Sequence, residues 1–288
     1  MSFSSDDLIE LLDLEPIERN IYRGRNRDIG TRHVYGGQVL AQALVAAQKT
    51  VEGDRPIHSM HGYFILPGDL AQPVVYFVER LRDGGSFTTR RVTAIQKGEA
   101  IFSLSASFQK HEEGFEHQLD MPFASDPEDL RPELEIVRER VEEFPEAIRD
   151  IVTQDRPLDF RPVDGDVAFG KGPKDARRMM WVKSTQPIDD DPMHHRAVLA
   201  YASDYGLIIT ALRPHGRSAR EPDIMVASLD HSIWFHRDFR IDDWLLYVVD
   251  SPTSGGGRGF ARGTFFTRDG KLVASVAQEG LIRQRRPK

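Results

Sequence analysis

Two polar side chains stand in apolar surroundings, where their chemistry would be sharpened, and a third stands on an ordinary strand face. Asp204 falls within 196–212, a run of helical character in which Ala197, Val198, Leu199, Leu207, Ile208 and Leu212 leave little for water. A carboxylate there is costly unless it is paired, hydrogen-bonded or functional. It reads either as a helix cap or buried hydrogen-bonding aspartate, or as an acid–base group. Gln278 interrupts a strand face made of Leu272, Ala274, Val276, Gly280 and Ile282. Its amide both donates and accepts, which suits a core hydrogen bond or the holding of a water. Ser228 shares a strand face with Val226, Asp230 and Trp234, an ordinary place for a serine. No G-x-S-x-G and no strand–elbow–helix pattern surround it, which excludes a serine-hydrolase elbow. The chain has no cysteine, so thiolate nucleophiles, thiolate zinc sites and disulfides are excluded together.

Other constellations carry less. His58 and His61 lie on an early strand, with His58 roughly opposite Ser228 in the repeat described below. A base there is conceivable, but strand histidines are more often structural. Asp230 and His231 are adjacent, and adjacent strand residues point to opposite faces. Asp189, Asp190 and Asp191 precede His194 and His195 without a recognised ligand spacing, which suggests a solvated helix start more than a metal site. Gly255, Gly256 and Gly257 before Arg258 resemble a phosphate loop, but a strand follows where a helix is required.

The elements that must carry these groups form an internal repeat. After Tyr35-Gly36-Gly37-Gln38 comes an Ala- and Leu-rich helical stretch over 36–48, then strand-like runs at 58–66, 73–81, 87–96 and 100–109. The second half repeats that order: a helix over 196–212, then strands at 224–236, 244–251, 259–267 and 272–282. The Gly84-Gly85 and Lys97-Gly98 turns recur 172 residues later at Gly256-Gly257 and Asp269-Gly270. The alignment also sets 35–38 opposite 201–204, so that Gln38 faces Asp204 and Ala106 faces Gln278. A helix apolar nearly all round must be wrapped by other structure. An antiparallel sheet curled around each central helix does this, so the fold class is α+β, a double hotdog of two repeated units. The expected bounds are 1–111 and 158–288 for the units. The stretch 112–157 between them is an acidic linker, with Leu134, Val137, Val141 and Phe144 at the spacing of an amphipathic surface helix.

At this point long ordered stretches resemble the type II acyl-CoA thioesterases, a double-hotdog family. They include YGGQVLAQAL (35–44), FILPGD (64–69), SASFQKHEEGFEHQ (105–118), YASDYG (201–206), SLDHSIWFH (228–236) and LVASVAQEG (272–280). The resemblance implies hydrolysis of fatty acyl-CoA to free fatty acid and CoA. It also implies a catalytic trio at Asp204, Ser228 and Gln278, with Ser228 standing where many members carry threonine. A thioester is a reactive acyl donor, so a positioned water and a base suffice. Asp204 would take the water proton while Gln278 and Ser228 hold the water, without a covalent intermediate. Backbone N–H groups at a helix start would receive the oxyanion, and Arg258 or Arg262 would be placed to touch CoA phosphates. Because Gln278 faces Ala106, one active centre per chain is expected. Two other readings stand beside this one: a hotdog hydratase, which needs an Asp–His pair over the substrate, and a non-hydrolytic acyl-CoA binding or sensing module.

Composition narrows the partners. The net charge of −7 argues against a general nucleic-acid binder but not against an anionic ligand. The N-terminal stretch lacks the basic region and apolar core of a signal peptide. Ser4 three residues before Asp7 instead suggests a capped helix bearing Leu8, Ile9, Leu11 and Leu12. No apolar run approaches the roughly 18 residues that span a bilayer. The terminal RQRRPK is neither a peroxisomal tripeptide nor a lipidation box. The expectations are therefore an acyl-CoA substrate, no metal and no cofactor, no nucleic-acid or membrane partner, a cytoplasmic location and a homo-oligomer of such chains.

Overall fold

The computed structural model describes residues 3–165 and 172–285. The C-terminal residues 286–288, part of the stretch read above for an address signal, lie outside the described residues. The chain opens with α1 (Ser5–Leu12), held by the capping box seen in the sequence: Ser4 Oγ accepts from Asp7 N while Asp7 Oδ2 accepts from Ser4 N. Two short strands follow, β1 (Glu15–Glu18) and β2 (Ile21–Gly24), then the central helix α2 (Gly36–Gln48). Every residue from Gly37 to Ala47 in α2 is buried, as a helix wrapped on all sides must be. Four strands complete the first half: β3 (Ile57–Phe64), β4 (Val74–Asp83), β5 (Phe87–Gln96) and β6 (Glu99–Gln109). Lys97 and Gly98, both at positive φ, make the tight turn between β5 and β6.

The linker contains α3 (Glu133–Glu139) and α4 (Glu146–Val152), interrupted by a 3₁₀ turn at Val141–Glu143 and by Pro145. The expected amphipathic helix is thus broken into pieces. Its spaced residues still do their work, since Val137 and Phe144 form a small buried cluster with Ile136, Ile148 and Val152. The linker is not only a solvated face. Glu133 is buried and its Oε2 accepts from Tyr205 Oη at 2.7 Å, which ties the linker to the segment that carries Asp204.

The second half contains β7 (Leu158–Pro162), β8 (Arg177–Ser184), α5 (Pro192–Ser203), β9 (Ile224–Ser228), β10 (Asp230–Phe235), β11 (Leu245–Gly255), β12 (Arg258–Thr267) and β13 (Leu272–Gln284). All thirteen strands join one antiparallel sheet in the order β1-β2-β4-β5-β6-β3-β10-β13-β12-β11-β8-β7, with β9 on β13. The order reads alike from both ends toward the β3–β10 seam, where Met60 pairs with Ile233 and His61 with Ser232. The double hotdog is therefore built as expected, except that each half carries two additional leading strands.

Three expectations are corrected. The predicted helix 196–212 is two pieces, because α5 stops at Ser203 with Asp204 as its C-cap and a 3₁₀ segment resumes at Ile208–His215. Gly206 allows the break: it sits at φ +73, where a Cβ would come within 2.7 Å of Arg178 Nη1. The pairing of 35–38 with 201–204 fails, since the first begins a helix and the second ends one. Gln38 does not face Asp204; its Oε1 accepts from Arg27 N and its Nε2 donates to Asn26 Oδ1. Finally, the strand predicted over 224–236 is broken at Leu229. No helix among the described residues is long and apolar enough to cross a membrane.

Candidate active site

The break after α5 leaves Asp204 against β10 and β13, with its side chain 8% exposed. Gln278, wholly buried on β13, reaches it: Nε2 donates to Asp204 Oδ1 at 2.7 Å and to Ser228 Oγ at 3.1 Å. Ser228 ends β9 directly across from Gly280, two residues beyond Gln278. Asp204 and Gln278, singled out by their apolar neighbours in the sequence, thus meet at one place with Ser228, which only the family resemblance had marked. Gln278 Oε1 is also buried and finds no hydrogen-bond partner among the described residues, so one acceptor remains for a ligand or water.

Sequence reasoning missed a fourth member. His231 is wholly buried, with Nδ1 3.2 Å from Gln278 Nε2 and 3.8 Å from Asp204 Oδ1. Its Nε2 lies 2.9 Å from Ser203 Oγ. Burial pushes the imidazole down to about 4, with the Asp204 charge opposing, so the ring is neutral near neutral pH. The irregularity at Leu229 explains the miss. It shifts the alternation by one, so Ser228 shares its inward face with His231 and Ile233 and not with Asp230 and Trp234. Asp230 and His231 do point apart, as expected: Asp230 Oδ1 accepts from Glu279 N at 2.6 Å, away from the imidazole's partners. A histidine in a row with Ile233 and Phe235 was the available signal, of the same kind that marked Gln278.

The first half contributes to this site from the other side. Gly36 opens α2 against it, and a Cβ there would lie 2.8 Å from Asp204 Oδ2 and 3.1 Å from the Phe64 ring. A Cβ at Gly37 would lie 2.4 Å from the Tyr201 carbonyl oxygen. The N-terminus of α2 therefore packs on the C-terminus of α5. Tyr35 Oη donates to that same carbonyl at 3.0 Å, and burial followed by the Asp204 charge raises its phenol well above the usual range. Tyr247 Oη donates to the Ser203 carbonyl at 2.8 Å and fixes the residue before Asp204.

The corresponding place in the first half is lined by different residues. Ala106 lies two residues before Phe108, which pairs with Ile57 as Gly280 pairs with Ser228, and Met60 lies across from Ala106. Ile57, Met60 and Ala106 are buried and apolar. On the other flank, Arg90 stands across from Ala106 as Ala261 stands across from Gln278, and its buried guanidinium is tied to Thr50 and Asp83.

The remaining candidates have separate occupations. His58 Nε2 pairs with Ser107 Oγ and His61 Nδ1 with Ser232 Oγ, both outside the Asp204 cluster. Asp191 caps α5 through Met193 N, Asp189 holds His194, and Asp190 takes Arg240. No group of three or more His, Asp or Glu able to hold a metal occurs among the described residues. Arg258 pairs with Glu279 and Arg262 with Asp250.

Comparison with known proteins bears on the whole chain. Residues 148–281 match the family described as Acyl-CoA thioesterase, and residues 23–109 match its N-terminal domain family. The chain is 41% identical over 283 residues to Acyl-CoA thioesterase 2 of Haemophilus influenzae, covering 98% of this chain and 99% of that one. It is 39% identical to Acyl-coenzyme A thioesterase 8 of Homo sapiens, covering 95% and 88%. Among solved structures, an acyl-CoA thioesterase II TesB2 from Mycobacterium marinum superposes with TM-score 0.79 at 43% identity, over 96% of this chain and 97% of that one.

Proposed function

This chain belongs to the type II acyl-CoA thioesterase family, and from that premise we propose that it hydrolyses fatty acyl-CoA with a water held by Asp204, Ser228 and Gln278. The observation that carries the reading is the Gln278 amide. It donates to the Asp204 carboxylate and the Ser228 hydroxyl while keeping Oε1 buried and uncommitted. A water accepted by that oxygen and by Asp204 has its lone pair turned away from both, toward a substrate carbonyl.

In the reaction, Asp204 takes a proton from the water as the water oxygen bonds to the thioester carbon. The carbonyl electrons move onto oxygen, and Gly36 and Gly37 at the start of α2 have N–H groups without intrahelical acceptors to receive that charge. Collapse of the tetrahedral species breaks the C–S bond and releases the free fatty acid and CoA as thiolate, which takes the proton held by Asp204 and so restores the carboxylate. Ser228 stays a hydrogen-bonding group and no acyl-enzyme forms. One centre per chain follows from the apolar Ile57, Met60 and Ala106 in the sister position.

The hydratase reading gains one observation, the proximity of Asp204 to His231, and loses by a second. Both imidazole nitrogens are engaged, with Gln278 and Ser203, so the ring has no nitrogen to offer a substrate. The test is release of free thiol from short-, medium- and long-chain acyl-CoAs by the purified chain. Turnover supports the hydrolase. Stoichiometric binding without thiol release at any chain length would replace it with the binding-module reading.

A further inference from the structure

His231 lies outside the proposed trio yet touches its amide. Ser203 Oγ is 2.8 Å from the Ala200 carbonyl, which only accepts, so the single hydroxyl hydrogen is spent there. Toward His231 Nε2, 2.9 Å away, the hydroxyl oxygen must then accept. That sets the tautomer: Nε2 carries the proton and Nδ1 presents its lone pair. At 3.2 Å from Nδ1 stands Gln278 Nε2, which gives one hydrogen to Asp204 Oδ1 at 2.7 Å and shares the other between Nδ1 and Ser228 Oγ at 3.1 Å.

An amide turned the other way would set its oxygen against a carboxylate and an imidazole lone pair together. We infer that His231, oriented by Ser203, is a positioning residue that fixes the Gln278 amide with nitrogen toward Asp204 and oxygen toward the reacting water. The inference rests on the proposed hydrolytic reading and adds to it an arm running from Ala200 through Ser203 and His231 to Gln278. The first half supports it independently: where Gln278 is replaced by Ala106, the residue across from it is Met60, and neither an amide nor an imidazole is present. Burial that keeps the imidazole neutral keeps Nδ1 an acceptor.

Two variants separate positioning from mere filling. His231→Met installs the residue found in the sister position and removes the acceptor. Its kcat should fall about tenfold or more, with KM within about threefold, as expected when an interaction that orients the reacting groups is lost. His231→Asn is smaller but restores an acceptor oxygen near Nδ1, and its kcat should return to within about threefold of the parent. Equal losses in both variants, or full kcat in His231→Met, would overturn the inference. A measurement on the unaltered chain covers the case in which either variant fails to fold. Long-range ¹H–¹⁵N correlation at neutral pH should show His231 neutral and protonated at Nε2, and an Nδ1–H tautomer or an imidazolium would overturn it. Failure of the hydrolytic reading looks different: the parent chain itself would then release no thiol, or Asp204→Asn would turn over normally, whatever His231 does.

Discussion

Gly36→Ala is the sharpest test of how the two halves share one site. The added Cβ would lie 2.8 Å from Asp204 Oδ2 and 3.1 Å from two Phe64 ring carbons, against an ordinary contact of 3.4 Å or more. The ring is packed against Phe102, with centroids 4.9 Å apart, so the carboxylate is the freer neighbour. It must retreat by about 0.6 Å, and a displacement on the order of 1 Å at reacting groups costs about 10²-fold in rate. We therefore expect kcat to fall about 10- to 100-fold. The overpacking should also lower stability by about 1–3 kcal/mol. Gly85→Ala serves as the control, because a Cβ there meets nothing within 4 Å. The assay is steady-state thiol release, with KM and a urea titration on each variant. Parental kcat in a folded Gly36→Ala chain would refute the packing of α2 against Asp204 as a catalytic constraint.

The other predictions concern the trio and its buried neighbour. Ser228→Ala and Gln278→Ala should each cost less than loss of Asp204, and the double variant should cost less than the product of the two, because both hold one water. A multiplicative double variant, or a hydroxylamine-trapped acyl group on Ser228, would contradict this. His231 should make the fold acid-sensitive. Its imidazole is held near 4 when folded against 6.5 when free, so the unfolded chain binds a proton that the folded one refuses as pH falls. Its contribution is whole above about pH 6.5 and declines by about 3 kcal/mol as pH falls to about 4. Urea titrations from pH 7 to 4 should accordingly show a flatter dependence in His231→Met than in the parent. Parallel curves would mean that His231 titrates normally in the folded chain.

Much of this architecture was legible because alternation and turns are local signals. The strand 87–96 agrees with the observed β5, and Ser4 with Asp7 marked the start of α1. The leading strands were not legible. β1 and β2 are four residues each, and β1 is exposed throughout, so no buried face imposes a period on it. The break at Asp204 was hidden by hydrophobicity that continues through Ile208 and Leu212, both of which are buried after the chain has changed direction. Gly206 was the only local clue. Of the site, Asp204 and Gln278 were visible as polar residues among apolar ones. His231 was not, because one irregular residue at Leu229 reverses which side chains point inward, and no period counted through it survives.

The central claim, that Asp204 activates water for direct attack on the thioester, is tested most directly by Asp204→Asn. The change keeps size and hydrogen bonding to Gln278 but removes the proton acceptor. Thiol release should fall by about 10²-fold or more while binding of a non-hydrolysable acyl-CoA analogue stays within a few-fold. Undiminished turnover in Asp204→Asn would contradict the account and leave the proposed hydrolysis without its base.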